Sequence, residues 1–260
     1  MSLKYRIVRN WSDIRHFGPS VLRRHAARHR KDSRIAINAE GVGRIVIRSG
    51  DSDIETLRQA LVERQYSLEW PKSLKERVDA RYEEILATGG KPIIVDAGAN
   101  IGAASLYFLS RFPKAHVVAV EPDPGNAAIL RENLATRQNS MVLEAAIGAE
   151  AGHVTLTNPK HGWAVRTERS DSGVPVVTVE DAFEASEGDT PFIVKVDIEG
   201  FEEELFAKNT GWIDKTFAIF VEPHDWMIPD RHSSRTFQQA MAKQPFKIYI
   251  RFENLLYVRA

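Results

Sequence analysis

Residues 93–102, Ile-Ile-Val-Asp-Ala-Gly-Ala-Asn-Ile-Gly, constrain the fold more than any other stretch of the chain. Their apolar start predicts a buried parallel strand, and the glycines that follow predict a tight loop that opens a helix. A second apolar run, residues 117–120, ends on Glu121. This order is typical of a nucleotide-binding α/β unit, in which a carboxylate after the second strand takes the ribose hydroxyls.

The glycine spacing bears on which nucleotide binds. A dinucleotide motif, G-x-G-x-x-G/A, starting at Gly98 would need a second glycine where Asn100 stands. Asp96, beside the loop, would also repel phosphate oxygens. S-adenosylmethionine has an ammonium, a sulfonium and no phosphate, so we expect it rather than a nicotinamide cofactor. The alternative, that Gly98 and Gly102 merely permit a tight turn, explains neither Asp96 nor Glu121.

Composition sets the broad class of the protein. The chain has 260 residues, 43% of them hydrophobic, which is enough for one α/β domain with an N-terminal addition. It contains no cysteine, and this excludes disulfides, thiolate metal sites and a cysteine nucleophile. No apolar run approaches the roughly 18 residues of a membrane span, and no signal peptide is visible, so we expect a cytoplasmic protein.

Positive charge is concentrated at the N-terminus. Residues 1–34 hold ten Lys and Arg against Asp13 and Asp32, and the remainder of the chain is correspondingly acidic. The basic cluster at 23–31 suits phosphates of nucleic acid or an anionic lipid surface. No aromatic residues are interleaved there to stack on bases, so nucleic-acid binding is not expected. The alternative is a solvated helix whose basic face covers the acidic domain.

Helices and strands alternate along most of the chain. The pattern predicts helices at 19–30, 54–64, 72–88, 101–112, 124–137, 179–185, 201–208 and 233–243. It predicts strands at 34–38, 43–48, 93–97, 116–121, 141–145, 175–178, 192–197, 216–222, 246–252 and 254–259, with a hairpin at 152–169. We expect a doubly wound, mostly parallel sheet with an antiparallel C-terminal edge strand. Residues 1–88 form an N-terminal extension, basic and mostly helical, and residues 89–260 form the main domain.

Ligands of such a sheet bind outside the carboxyl ends of its strands. Five segments meet this condition: 96–102, 121–123, 145–148, 195–200 and 222–226. In the fourth segment, Lys195 and Asp197 flank a valine at the end of an apolar strand, where a charged pair needs a partner or a function. We expect Asp197 and Glu199 to point into the crevice. Glu202, Glu203 and Glu204 are interpreted as ordinary charges at a helix start.

Three segments together resemble the FkbM family of S-adenosylmethionine-dependent methyltransferases. They are Val-Asp-Ala-Gly-Ala-Asn-Ile-Gly at 95–102, Val-Glu-Pro-Asp-Pro at 120–124 and Lys-Val-Asp-Ile-Glu-Gly-Phe-Glu at 195–202. Residues 48–53 with Tyr66 resemble the segment before the core of that family, so the similarity covers residues 44–225. The resemblance implies a class I methyltransferase (Rossmann-like) fold. It also implies O-methyl transfer to a sugar, a polysaccharide or a secondary metabolite.

The resemblance also implies roles for single residues. The implied cofactor-binding residues are Asp96, Gly98, Asn100, Ile101, Gly102, Glu121, Pro122 and Ala146. Within this set, Glu121 would hold the ribose and Ala146 would lie near the adenine. Asp197 and Glu199 would face the acceptor.

A hydroxyl acceptor must lose a proton, so a base is expected near the transferred methyl group. His224, after the fifth central strand, is the first candidate because its usual pKa suits the task. Asp197 is the second candidate and would need burial to raise its pKa. Asp197, Glu199 and His224 could instead hold a divalent cation that orients a vicinal diol. No strong metal-ligand spacing supports this, so no metal site is predicted.

Two other functions compete with methyl transfer. One is an NAD-dependent sugar-modifying oxidoreductase, and the other is a non-catalytic protein that has kept a nucleotide pocket. A base N-methylating RNA enzyme fits less well. Its Asn/Asp-Pro-Pro-Tyr/Phe loop is replaced here by Asp-Ile-Glu-Gly at 197–200.

Overall fold

Five of the strands predicted as buried lie side by side and parallel in the computed structural model, which describes residues 3–27, 33–157, 166–227 and 232–260. These strands are β3 (Pro92–Ala97), β4 (His116–Val120), β5 (Ser140–Leu143), β10 (Thr190–Val196) and β11 (Ala218–Val221). They belong to a seven-stranded sheet that also contains β12 (Phe246–Arg251) and β13 (Asn254–Arg259). The strand order is β12-β13-β11-β10-β3-β4-β5.

The C-terminal hairpin completes this sheet. β13 pairs antiparallel with both β11 and β12. The antiparallel strand therefore lies one place in from the edge, and β12 forms the edge itself. The predicted α/β class, a doubly wound and mostly parallel sheet with an antiparallel C-terminal strand, is confirmed.

Helices cover both faces of the sheet because successive strand residues point to opposite sides. On one face, Ile94 packs into a core with α4 (Lys72–Ala87), α5 (Ala103–Arg111) and α6 (Pro124–Leu134). On the other face, Ile93 and Val95 join a second core. That core is completed by α7 (Val179–Ala185), α8 (Glu202–Leu205), α9 (Trp212–Lys215) and α10 (Ser234–Met241).

The N-terminal extension packs on the first of these cores. It contains α1 (Leu3–Phe17), a 3₁₀ turn (Pro19–Leu22), α2 (Arg23–Ala27), the hairpin of β1 (Arg34–Ala39) and β2 (Gly43–Arg48), and α3 (Asp53–Leu57). Phe17 and Ile45 belong to the same hydrophobic cluster as Phe108 and Phe220 of the main domain. One core thus runs through both segments. Residues 28–31 of the predicted basic cluster lie outside the described residues.

A smaller sheet lies beside the main one. It joins β6 (Ala146–Ile147), β7 (Gly152–Thr157), β8 (Arg166–Ser170) and β9 (Val174–Val177) in the order β6-β9-β7-β8. β7 and β8 form the predicted hairpin, and its connection, residues 158–165, lies outside the described residues. No helix in the described ranges has both the length and the apolar character needed to cross a bilayer.

Candidate active site

The strand register brings the predicted rim residues into one row. Ala97 of β3 pairs with Val120 of β4 and with Val196 of β10, and Val196 also pairs with Val221 of β11. The chain leaves all four strands at one level, so the residues that follow are neighbours across the sheet. Those residues are Gly98, Glu121, Asp197 and Glu222. Three carboxylates therefore line this edge of the sheet.

The loop after β3 turns through left-handed backbone at Gly98, Asn100 and Gly102. A Cβ atom on Gly98 would lie 1.7 Å from the carbonyl oxygen of Asp197, and one on Gly102 would lie 2.7 Å from a methyl carbon of Leu130. Both glycines are needed because neighbouring parts of the chain approach so closely. In the structure, the approach at Gly98 comes from the backbone of the fourth rim segment.

Glu121 binds the opposite side of this loop. Its Oε2 accepts a hydrogen bond from the backbone N–H of Asn100 at 2.8 Å, and its Oε1 accepts from the N–H of Asp123 at 3.0 Å. Burial raises the pKa of Glu121, although these hydrogen bonds act in the opposite direction. The buried Oδ1 of Asn100 has no hydrogen-bond partner. The loop thus offers oxygen acceptors, which suit a ligand that brings hydrogen-bond donors and positive charge.

Asp96 lies beneath the loop and not on its surface. The residue has 0% relative exposure, and its Oδ2 accepts a hydrogen bond from Ser105 Oγ at 2.6 Å. Its Oδ1 lies 3.2 Å from the ammonium of Lys195. Asp96 supports the loop from inside the protein, and its predicted contact with the cofactor stays a prediction.

Lys195 connects the two sides of the crevice. Its Nζ donates a hydrogen bond to the carbonyl oxygen of Gly98 at 2.7 Å and lies 3.3 Å from Asp197 Oδ2. Burial opposes the charge of Lys195, but Asp96 and Asp197 keep its pKa well above the usual value. The ammonium also lies 5.8 Å from the ring centre of Tyr66, which the N-terminal extension contributes. Lys195 therefore fixes Asp197 relative to the glycine loop.

His224 is 3% exposed and is held by a buried carboxylate. Its Nδ1 lies 2.7 Å from Oε1 of Glu202, which is itself 1% exposed. The prediction that Glu202 is an ordinary helix-start charge is therefore wrong. The predicted helix 201–208 is reduced to the four residues of α8, and Glu202 turns inward from its first position. Its buried, hydrogen-bonded state depends on tertiary packing that helix-end statistics do not contain.

Asp197, Glu222 and His224 form a compact group, which we call the carboxylate–histidine cluster. One side-chain N or O atom from each residue lies within 4.8 Å of the others. The Nε2 of His224 lies 3.6 Å from Asp197 Oδ1 and 3.6 Å from Glu222 Oε1. Glu199 is half-buried, with φ of 51°. Within the described residues, Glu222 takes the place in this group that the sequence analysis gave to Glu199.

The carboxylates of this cluster favour the positively charged form of His224. Burial alone would lower the pKa of His224, but Glu202, Glu222 and Asp197 outweigh it and raise the pKa to about 10. Glu222 and Asp197 add to the effect of burial in raising the pKa of Glu253 at the edge of the group. His224 therefore carries a proton at neutral pH in this structure and cannot accept another.

The remaining predicted residues occupy the borders of the crevice. The side chain of Ile101 is buried in the first core, so only its backbone can serve the loop. Pro122 is half-buried after β4. Ala146 is 4% exposed and packs with Val176 in the small sheet. The roles of these residues in cofactor binding stay predictions.

Three residues that contribute to this site have weak or misleading local sequence patterns: Glu202, Glu222 and Asn254. Asn254, at the start of β13, is fully buried with its Nδ2 3.4 Å from Glu222 Oε2. A signal for Glu222 existed, because it directly follows the apolar run at 218–221 in the way that Asp197 follows β10. Nothing local marks Asn254, because the pairing of β13 with β11 brings it to the site.

Comparison with known proteins identifies the family of this chain. The family model described as Methyltransferase FkbM domain matches residues 96–243, which is more than half of the chain. The 2-O-methyltransferase NoeI of Sinorhizobium fredii is 26% identical over 155 residues, 52% of this chain and 64% of that protein. The hexuronic acid methyltransferase AglP of Haloferax volcanii is 27% identical over 144 residues, 53% of this chain and 58% of that protein. The chain thus spans less than two thirds of the length of each relative.

The comparison with solved structures gives matches of low similarity. The precorrin-6y C5,15-methyltransferase of Geobacter metallireducens is 12% identical, with a TM-score of 0.38, covering 66% of this chain and 81% of that one. The assignment of the chain depends instead on the family match, which contains the glycine loop, Glu121, Asp197, Glu202, Glu222 and His224. The chain belongs to the family of FkbM-domain methyltransferases.

Proposed function

We propose that this protein is an S-adenosylmethionine-dependent O-methyltransferase that acts on a hydroxyl group of a sugar. The observation that carries the proposal is the pairing of two unlike walls across one crevice. One wall is the glycine loop with Glu121, and the other is the carboxylate–histidine cluster. Lys195 contacts both walls and sets the distance between them.

The glycine-loop wall fits the cofactor by its hydrogen-bonding chemistry. The Glu121 carboxylate occupies the backbone N–H of Asn100, a donor that a diphosphate would require. The unpartnered Oδ1 of Asn100 is an acceptor, and a diphosphate has no donor for it. S-adenosylmethionine supplies a methyl group activated on a sulfonium when it is bound. Glu121, Asn100 and the loop backbone would bind and orient it.

The cluster wall suits a hydroxyl that must lose its proton. Since His224 is already protonated at neutral pH, we favour Asp197 as the base. The side chain of Asp197 is 26% exposed, which leaves it open to the crevice, and Lys195 holds it in position. The Asp197 carboxylate would take the hydroxyl proton as the acceptor oxygen takes the methyl group, and the sulfur–methyl bond would break to leave S-adenosylhomocysteine. Protonated His224 would orient the acceptor by donating from Nε2, and Glu199 would contact it from the adjoining loop.

The sugar class of the acceptor is supported by the relatives and by one aromatic side chain. NoeI is described as a 2-O-methyltransferase and AglP as a hexuronic acid methyltransferase. Trp226 is 65% exposed, with its ring centre 6.4 Å from that of His224. An exposed indole beside a polar cluster offers an apolar face for the C–H side of a sugar ring.

Calorimetry and mass spectrometry test the proposal in sequence. Calorimetric titration should give binding of S-adenosylhomocysteine and no binding of NAD. Incubation with S-adenosylmethionine and a panel of hexoses, hexuronic acids and their oligosaccharides should then give a product one methyl group heavier. Binding of NAD without binding of S-adenosylhomocysteine would contradict the proposal. Cofactor binding without methylation of any panel member would contradict the sugar acceptor.

A further inference from the structure

The carboxylate–histidine cluster has the composition and spacing of a metal-binding site. We propose that Asp197, Glu222 and His224 bind a divalent transition-metal cation, with Mn²⁺ as its representative. The three residues follow two neighbouring parallel strands, β10 and β11, so rigid elements of the sheet fix their separation. Their candidate ligand atoms all lie within 4.8 Å of one another. The binding itself does not depend on the proposed methyl transfer.

The orientation of His224 leaves one nitrogen available to a metal. Its Nδ1 lies 2.7 Å from the Glu202 carboxylate, and an imidazole nitrogen can approach a carboxylate this closely only as an N–H donor. Nε2 therefore faces the cluster. It carries a proton when no ion is bound, and a metal ion would displace that proton, because a coordinating imidazole is neutral. Buried histidines that bind metals commonly have this arrangement, in which a carboxylate on one nitrogen orients the other toward the ion.

The distances within the cluster fit shared coordination better than direct contact. His224 Nε2 lies 3.6 Å from an oxygen of Asp197 and 3.6 Å from an oxygen of Glu222, beyond the range of a good hydrogen bond. Two ligands that each lie about 2.1 Å from one ion are separated by about 3.5 Å at angles near tetrahedral. The three side chains thus surround a common position.

The charges around this position are unbalanced. Four carboxylates belong to one network, the buried Asp96 and Glu202 and the half-buried Asp197 and Glu222. The Lys195 ammonium and the protonated His224 ring supply two positive charges against them. Buried charge of one sign is unfavourable unless it is paired. A divalent cation would compensate the remaining carboxylates.

A buried amide aimed at the cluster gives independent support. Asn254 is 0% exposed, and its Nδ2 approaches Glu222 Oε2 at 3.4 Å. Its Oδ1 is buried and has no hydrogen-bond partner. An amide in this position orients the Glu222 carboxylate, and its free oxygen can accept from a water molecule on the ion.

The ligand set indicates which cation is favoured and what it does. Two carboxylates with one imidazole suit Mn²⁺ or Zn²⁺ better than Ca²⁺, which takes oxygen ligands. The side chains of Asp197 and Glu222 are 26% and 16% exposed, so the ion would have open positions toward the crevice. If the proposed function holds, an acceptor hydroxyl occupies one of them and its pKa falls. Coordination through Asp197 Oδ1 leaves Oδ2 to accept the hydroxyl proton.

Titration of the EDTA-treated full-length protein with Mn²⁺ tests the site, because electron paramagnetic resonance detects the free ion. We expect one bound Mn²⁺ per chain and weaker competition by Ca²⁺ than by Zn²⁺. Glu222→Gln should weaken Mn²⁺ binding by at least about tenfold. The matched control is Glu253→Gln, because Glu253 is exposed, carries the same charge and lies near the cluster. It should change the affinity by less than about threefold.

Two results would overturn the metal site. One is no Mn²⁺ binding at millimolar concentration, and the other is an equal loss of affinity in Glu222→Gln and Glu253→Gln. If Glu222→Gln does not fold, Asp197→Asn replaces it, with the same expected loss. S-adenosylhomocysteine binding is measured on the same samples without metal. Its absence in the wild type would contradict the proposed function and leave the metal result intact.

Discussion

Two buried charge clusters of this protein are built in opposite ways. In the N-terminal extension, Asp13 accepts hydrogen bonds from Arg58 Nε at 2.7 Å and from Arg24 at 2.6 Å. Arg58 also donates to Glu55 at 3.0 Å. Because Arg9 also pairs with Glu55, three guanidinium groups face two carboxylates, and the contacts are short. In the crevice, Lys195, Asp197 and His224 meet their neighbours mostly at 3.2 to 3.6 Å, with carboxylates in excess.

The difference separates a structural cluster from a binding cluster. In the N-terminal cluster, both oxygens of Asp13 accept hydrogen bonds from guanidinium groups, so this carboxylate is fully paired. The crevice cluster has long contacts and uncompensated negative charge. A ligand can supply shorter contacts and the compensating charge. Short, direct ion pairs stabilise a fold, whereas longer contacts among an excess of carboxylates are retained where binding or chemistry uses them. Equivalent substitutions in the two clusters should therefore have opposite consequences.

Asp197→Asn should give the largest effect. Loss of the proposed base is expected to lower kcat for methyl transfer by about 10³-fold. Since the side chain is partly exposed and keeps its shape, the free energy of unfolding should change by less than about 1 kcal/mol. Steady-state kinetics and chemical denaturation measure the two quantities. A variant that loses stability but keeps kcat would make this cluster structural.

Asp13→Asn makes the same Asp-to-Asn change in the N-terminal cluster. It leaves Arg58, which is 8% exposed, with Glu55 as its carboxylate partner, and the Glu55 side chain is 48% exposed. Unfolding free energy should fall by about 3 kcal/mol at neutral pH, since the buried guanidinium loses its buried carboxylate. In the fraction that remains folded, kcat and the affinity for S-adenosylhomocysteine should be unchanged. Urea denaturation and single-turnover assays on one sample would detect a departure from this pattern.

The pH dependence of that stability loss has a defined sign. Although burial opposes it, hydrogen bonds from Arg58 and Arg24 hold the pKa of Asp13 below its usual value. The stabilisation is present above the unfolded-state pKa of about 3.9 and is lost as pH falls through the lower folded-state pKa. The gap in unfolding free energy between wild type and Asp13→Asn should therefore close on acidification below about pH 4. A gap that persists there would exclude ion pairing as its source.

Glu121→Gln tests whether cofactor binding at the glycine-loop wall depends on the charge of Glu121. Loss of one charge-assisted hydrogen bond should weaken S-adenosylhomocysteine binding by about tenfold, corresponding to roughly 1.4 kcal/mol. Glu144→Gln, after the neighbouring strand β5, is the matched control because Glu144 is exposed and pairs with Arg131. Calorimetry compares the two variants. Equal losses would show that the general acidity of the rim, rather than Glu121, attracts the cofactor.

Glu199→Gly should have the smallest effect on stability. Glu199 has φ of 51°, in the left-handed region that glycine adopts freely. Glycine would relieve the backbone strain there, but its greater conformational entropy in the unfolded chain offsets that gain. The free energy of unfolding should change by less than about 1 kcal/mol, while methyl transfer falls. Arg64→Gly is the control, because Arg64 has φ of 57° in an exposed turn of the extension. Equal activity in the two variants would remove Glu199 from the site.

The sequence predicted the sheet and the glycine loop well because both depend on local pattern. Apolar runs fixed β3, β4 and β10 within two residues, and the glycine spacing identified the loop. Helix α1 was not predicted. Its residues contribute Phe17 and Asp13 to contacts with distant segments, and nothing in their local pattern indicates those contacts.

The carboxylate–histidine cluster and its neighbours were only partly predictable from the sequence. Asp197 and His224 follow strands and were identified by that position. Glu202 required knowledge of which way a four-residue helix faces, and Asn254 required the pairing of β13 with β11. Burial and pairing across the sheet decide these roles, and they arise only when distant segments meet.

The backbone contact between Gly98 and Asp197 restricts how this enzyme can diversify. The glycine loop and the strand end that bears the proposed base touch without an intervening side chain, so neither can shift alone. A new acceptor can therefore be accommodated only by residues farther out, such as Trp226 on the rim. Amino-acid substitutions among descendants of this chain should be concentrated on the outer rim, while the residues at the contact between loop and strand stay the same.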